Sequence, residues 1–321
     1  MTGFLTTLGS RLAETWLSLL VLPGLLYVTT SAAAGVLGHR RPFALDHLAH
    51  RIDALAAEPA AHATGTVVLA AAGVLACSAG ASLLAAALGG AVERLWLGDW
   101  PRPAARAARA LTGRRARRWE AAHQRYRRAL ADKARLRAAA APEEAAAPAL
   151  TPGPATAPGP VAPVPDTAAL NEARNRIALA PPSRPTWMGD RIAAADLRVH
   201  RVYDLDLASA WPRLWLLLPE TGRAEVQHAR TALTAAARRA GWAVLYAVPA
   251  LWWWPAALIA ATVLAAAWYR GRQAVSAFAE LVEAAVDLHG RELAGALGLG
   301  GEGRLTRETG LEITRVLRKG T

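Results

Sequence analysis

Cysteine is nearly missing from the chain. Cys77 stands alone among 321 residues, which excludes an intrachain disulfide, a thiolate-bound metal cluster and a dithiol redox pair. Lysine occurs only at Lys133 and Lys319, so arginine carries almost all of the positive charge. Residues 15–38, 59–92 and 240–269 contain no Asp, Glu, Lys or Arg. Ion and proton pathways are normally built on ionisable groups placed inside the membrane, so these runs argue against a pump or a proton-coupled transporter and leave a channel only by assembly of several copies. A P-loop, a dinucleotide fingerprint, a Gly-x-Ser-x-Gly elbow and a His-Glu-x-x-His pair are also missing. No segment is rich enough in strand formers to suit an α/β catalytic core. The expectation is a non-enzymatic protein that needs no cofactor.

What the chain does have is apolar length. The 240–269 run is framed by Arg238 and Arg239 before it and by Arg270 and Arg272 after it, and crossing the hydrocarbon core takes about 20 apolar residues in a helix. These runs predict an all-α integral membrane protein with two transmembrane units. The first, within residues 1–100, is a two-helix hairpin with spans at about 15–37 and 66–90 and an external loop at 39–64. Arg11 and the small residues at 30–34 fit a signal peptide, but the first run exceeds the ~7–15 apolar residues of a signal core. Phe4, Leu5, Leu8 and Leu12 suit an interfacial lead-in instead, so a retained span is expected. Small residues in the second span form two rows, Ala72, Ala76 and Gly80 beside Gly73, Cys77 and Ala81. Such rows suit close helix packing in lipid, although abundant alanine also produces them by accident.

Charge sets the orientation. Residues 100–137 hold 13 Arg and Lys against Glu120 and Asp132, nearly the whole of the chain's +12. The positive-inside bias therefore puts residues 93–240 in the cytoplasm. Tryptophan then bears on the C-terminal membrane unit, 236–270. Trp242 and Trp268 occupy its ends, whereas Trp252, Trp253 and Trp254 fall in its middle between Pro249 and Pro255. Indole N–H groups favour the wet interface and the prolines break the helix, so a short helical hairpin is expected whose tip reaches the far interface. A single proline-kinked span is the alternative, and it would put the C-terminus on the other side. Trp100, Trp211, Trp215, Trp242, Trp252, Trp253, Trp254 and Trp268 are the expected interface anchors.

Residues 101–140 read as a basic cytoplasmic helix with an apolar stripe at Trp119, Tyr126 and Leu130. It is either a solvated helix that enforces topology or a contact for anionic inner-leaflet lipids through Arg114, Arg115, Arg117, Arg118, Arg125, Arg127 and Arg128. Nucleic acid is the least favoured partner, because no recognition motif accompanies the charge. Residues 141–166 form a Pro/Ala-rich linker with eight prolines. Within 167–235, Trp187 is expected to plug neighbouring helices, Asp190 to cap a helix, and Trp211, Leu214, Trp215 and Leu218 to face the membrane, with burial in a helical domain as the alternative. Residues 271–321 read as amphipathic helices, the last opened by a capping box at Thr309 and Glu312. Their partner surface is 167–235, another copy or a different protein, and Phe278 and Val282 are the expected docking residues.

The external loop offers Asp46, His47, His50 and Asp53 at helical spacing, near His39 and His62. Leu45, Leu48, Ile52 and Leu55 make the same stretch an ordinary amphipathic helix, so a solvated polar face is expected rather than a metal site. In composition and layout the chain resembles multi-spanning membrane proteins of high-GC actinobacteria that have no assigned activity, a resemblance that carries no site. The expected function is a membrane-anchored scaffold in the bacterial inner membrane that docks an unidentified protein or another copy. The alternative is a membrane-perturbing or pore-forming effector.

Overall fold

The computed structural model describes residues 22–58, 63–145, 166–300 and 303–318. The expected lead-in, the start of the first span, most of the proline-rich linker and His62 lie outside the described residues. Those described form ten α-helices and no strand. They are α1 (Leu22–Leu37), α2 (Leu45–Ala56), α3 (Thr64–Leu97), α4 (Ala105–Ala145), α5 (Thr167–Ile177), α6 (Trp187–Tyr203), α7 (Leu207–Leu217), α8 (Glu220–Tyr246), α9 (Pro255–Ala296) and α10 (Arg307–Leu317). Short 3-10 turns at Arg102–Ala104 and Pro249–Leu251 precede α4 and α9. Helix α4 runs through Pro142 and takes in the first five residues of the expected linker. The chain divides into two compact units, Met1–Leu95 with Leu218–Leu281, and Trp96–Leu217 with Val282–Thr321.

The first unit is assembled through glycine. A Cβ on Gly24 of α1 would collide with the Ser78 carbonyl of α3, one on Gly241 of α8 with the Ala85 carbonyl, and one on Gly89 with the backbone of Arg238. Because Ala85 faces Gly241 while Gly89 faces Arg238, α3 and α8 run antiparallel. The packed row on α3 is Ser78, Ser82, Ala85 and Gly89, all buried. Of the two small-residue rows that suited either packing or accident, Ala72, Ala76 and Gly80 are exposed, as are Gly73 and Cys77, nothing lies within 4 Å of a Cβ built on Gly73 or Gly80, and Ala81 is half-buried. Both rows are rich in small residues, so composition could not tell the seam from its neighbours. Tyr27 of α1 meets Trp242 and Tyr246 of α8 at ring separations of 6.0 and 5.4 Å.

The second unit is held by indoles, guanidiniums and caps. Helix α5 lies along α4, where the buried Trp119 donates its indole N–H to the Ala178 carbonyl at 2.9 Å and stacks on His123. Arg174 of α5 sits over both the Trp119 and Tyr126 rings, 5.9 and 5.1 Å from their centroids, a cation–π arrangement. Thr186 caps α6 by accepting from the Gly189 N–H at 3.1 Å, and its hydroxyl donates to the Trp96 carbonyl. Asp190, the expected cap, has a different task described below. Helix α10 opens three residues earlier than expected, with Thr306 as the cap accepting from the Thr309 N–H.

Candidate functional surfaces

The first unit leaves many large apolar side chains exposed. Helix α3 is the one described helix long and apolar enough to cross a bilayer, and only 11% of its most apolar 18-residue window is buried. Val67, Val68, Leu69, Leu75, Leu83 and Leu84 all point away from protein. A core helix of a soluble protein would have these side chains covered. Helix α1 adds Leu22 and Leu26, and α9 adds Leu258, Leu264 and Tyr269.

The expected interface anchors separate into two sets. Trp252, Trp254 and Trp268 are exposed, while Trp100, Trp211, Trp215, Trp242 and Trp253 are half-buried. Between α8 and α9 the chain turns through the Pro249–Leu251 3-10 segment, with the Trp252 and Trp253 N–H groups both donating to the Pro249 carbonyl. The Trp253 side chain donates its indole N–H to the Pro42 carbonyl at 3.0 Å, and Phe43 meets Trp254 edge-on at 5.8 Å. The three indoles thus sit at a helix–turn–helix junction, as their prolines suggested. Trp211 and Trp215 lie on α7 with their rings 6.0 Å apart, but the same helix buries Ala210 and Leu214 against its own unit. Of the face expected to lie on the membrane, Leu214 and Leu218 are covered by protein.

The basic helix has two unlike sides. Of its apolar stripe, Trp119 is buried and Tyr126 half-buried on the side that meets α5, whereas Leu130 is exposed. Arg115, one of the arginines expected to contact lipid, turns to Asp190 instead, donating through Nη2 at 2.8 Å and through the same nitrogen to the Ile177 carbonyl at 2.8 Å. Asp190 is 4% exposed at its side chain and also accepts the Ser183 and Arg184 N–H groups at 2.8 Å each, so it closes the loop between α5 and α6. Arg114, Arg117, Arg118, Arg125, Arg127 and Arg128 are exposed. With Arg106, Arg109 and Arg135 they line the side of α4 turned away from α5, interrupted by the acids Glu120 and Asp132. At 1.5 Å per residue the stretch from Arg106 to Arg135 is about 45 Å long.

The expected docking residues correct the sequence picture. Val282 is 7% exposed, buried by the chain's own helices, and Phe278 is half-buried. The amphipathic C-terminal helices find their cover within the chain, on α6 and α7. From α9, Glu283 pairs with the buried Arg191 at 2.8 Å, and Asp287 accepts from Arg198 and from the Tyr203 hydroxyl at 2.9 Å each. Helix α10 docks at the bend between α6 and α7, where Asp204 adopts the left-handed conformation (φ 53°). Gly310 admits the Tyr203 carbonyl where a Cβ could not, and Thr314 accepts from the Asp206 N–H at 3.0 Å. Arg307 pairs with Asp204 at 2.8 Å and Arg318 with Asp206 at 2.9 Å.

These contacts shift the acidities of the groups they join. The Arg307 guanidinium holds the Asp204 carboxyl below its ordinary range. The Ser209 hydroxyl, and then Arg318, do the same for Asp206. Burial, reinforced by the bond to Asp287, pushes the Tyr203 hydroxyl up. No signal in the sequence marked Asp190, Glu283 or Asp287 as partners, because each lies 75 residues or more from the arginine it pairs with.

Asp46, His47, His50 and Asp53 are exposed on α2. Among the described residues, no group of three or more His, Cys, Asp and Glu side chains could hold a metal ion. Compared with known proteins, the chain matches no family, no curated protein and no solved structure.

Proposed function

We propose that this protein is a multi-pass, non-enzymatic scaffold of the bacterial inner membrane, with residues 93–240 in the cytoplasm. The observation that carries this reading is the exposure of α3: an apolar helix of membrane-spanning length, 11% buried over its most apolar window, has the surface and length that lipid would cover. The C-terminal membrane unit is a re-entrant hairpin rather than a single span. The grouping of Trp96–Leu217 with Val282–Thr321 in one compact unit supports the hairpin, since a chain that leaves and rejoins one unit returns to the side it left. The Trp252–Trp254 turn is then the far tip of the hairpin. Recruitment falls to the arginine side of α4, since Val282 is already covered. That surface suits anionic inner-leaflet lipid, at about 1 kcal/mol per basic residue near the headgroups, and any protein partner or second copy must avoid the docked α10.

Fractionation of full-length protein tests the reading. It should stay in the membrane pellet after alkaline carbonate washing and leave only with detergent, and a tag at Thr321 should be digested only in inverted vesicles. Release by carbonate would remove the membrane anchor, and digestion in right-side-out vesicles would replace the hairpin with a single span.

A further inference from the structure

We propose that α2 and the Trp252–Trp254 turn together form an interfacial collar, seated in the headgroup–acyl boundary of the leaflet opposite the basic segment. The proposal rests on the membrane reading above. Helix α2 has 12 residues, at the edge of the ~12–15 below which an isolated helix is marginal in water, so its apolar face needs a cover. Leu48, Ile52 and Leu55 recur at i, i+4 and i+7 on one side, with Asp46, His50 and Asp53 opposite. Protein leaves Ile52 57% and Leu55 64% exposed.

At the N-terminal end of α2 the same kind of surface continues across a second part of the chain. Trp253 is bonded to the Pro42 carbonyl and Trp254 is packed edge-on against Phe43, which holds the turn beside α2. Leu251, Trp252, Phe43 and Trp254 are all exposed there. A short amphipathic helix with indoles at its end is the chemistry of an element that lies in the interface plane. Arg40 and Arg41, exposed between α1 and α2, can reach lipid phosphates from that position. Lipid is favoured over a protein cover because the exposed apolar surface does not stop at α2. It resumes at Val67, Val68 and Leu69 of α3, so the cover has to extend beyond α2.

The test uses full-length protein with Cys77→Ala, carrying single nitroxide-labelled cysteines in phosphatidylethanolamine–phosphatidylglycerol vesicles. Labels replace Ile52, Leu55, Asp53 or Leu75, and collisions with oxygen and with a water-soluble nickel chelate are compared. The collar predicts that Ile52 and Leu55 labels meet nickel about threefold less often than the Asp53 label while still meeting oxygen freely, with Leu75 deeper than all three. Nickel access at Ile52 equal to that at Asp53, with Leu75 still deep, would overturn the collar and spare the membrane anchor. Shielding of Ile52 from both reagents would overturn it in favour of a protein cover. A Leu75 label in water would remove the membrane anchor and the collar together.

Discussion

Arg115 and Asp190 are joined at 2.8 Å although they stand 75 residues apart in the chain. A carboxylate that accepts four hydrogen bonds, two from the Arg115 guanidinium and two from backbone N–H groups, is hard to replace. Asp190→Ala would leave Arg115 and the Ser183 and Arg184 amides without their acceptor, and should destabilise the second unit by about 2–4 kcal/mol. Arg115→Ala should cost less, because two backbone donors still serve the carboxylate. Denaturant titration of the detergent-solubilised protein would measure both, and equal losses would count against this division of roles.

The glycine seams make a sharper structural prediction. Gly241→Val would drive a branched side chain into the Ala85 carbonyl, whereas Gly80→Ala enters open space. The first should lower the thermal midpoint in detergent, at a cost of about 1–3 kcal/mol or more because backbone rather than side chain must give way. The second should be neutral. A tolerated valine at 241 would mean that α3 and α8 do not meet at this residue.

Acid should loosen α10 first. Asp204 and Asp206 have carboxyls held below their ordinary values in the folded protein, so their contribution is present above about pH 4 and is lost as pH falls through the depressed folded-state values. Tyr203 works at the other end. Its hydroxyl is pushed upward, so its bond to Asp287 contributes fully below about pH 10 and is lost as pH rises through the raised value. Hydrogen exchange of residues 307–317, corrected for the intrinsic effect of pH, should show protection falling below about pH 4. Unchanged protection at pH 3 would remove the ion pairs from the docking account.

The arginine side of α4 can be tested in nanodiscs. Adding anionic lipid should slow hydrogen exchange along residues 106–137, and Arg114→Glu, Arg117→Glu, Arg125→Glu and Arg128→Glu combined should cancel the effect. At about 1 kcal/mol per residue, the four reversals should weaken the contact well over tenfold. High salt should do the same within a Debye length. A response to neutral lipid as large as to anionic lipid would mean that charge is not the attraction.

Period and composition made much of the helical order readable. Residues 105–145 have the alanine and arginine of a long helix, and the prolines around Trp252–Trp254 announced a turn. What stayed hidden were pairings over long chain separations. Arg115 looks no different from Arg114 or Arg117 until α6 brings Asp190 to it. Val282 lies on an obvious apolar face, but a periodic pattern says only that the face is covered, not by what. The seam on α3 was missed for a similar reason: in a helix of alanines and glycines, neighbouring rows differ by a single serine or glycine, and only the approach of Arg238 and Gly241 picks one out.

Backbone meets backbone at Gly24, Gly89 and Gly241, with no layer of long side chains between. Along those seams a solute would find no lumen to thread. Should this protein ever permeabilise a bilayer, the breach would have to open around the molecule or between several copies, and its conductance would then climb steeply with the amount of protein per vesicle.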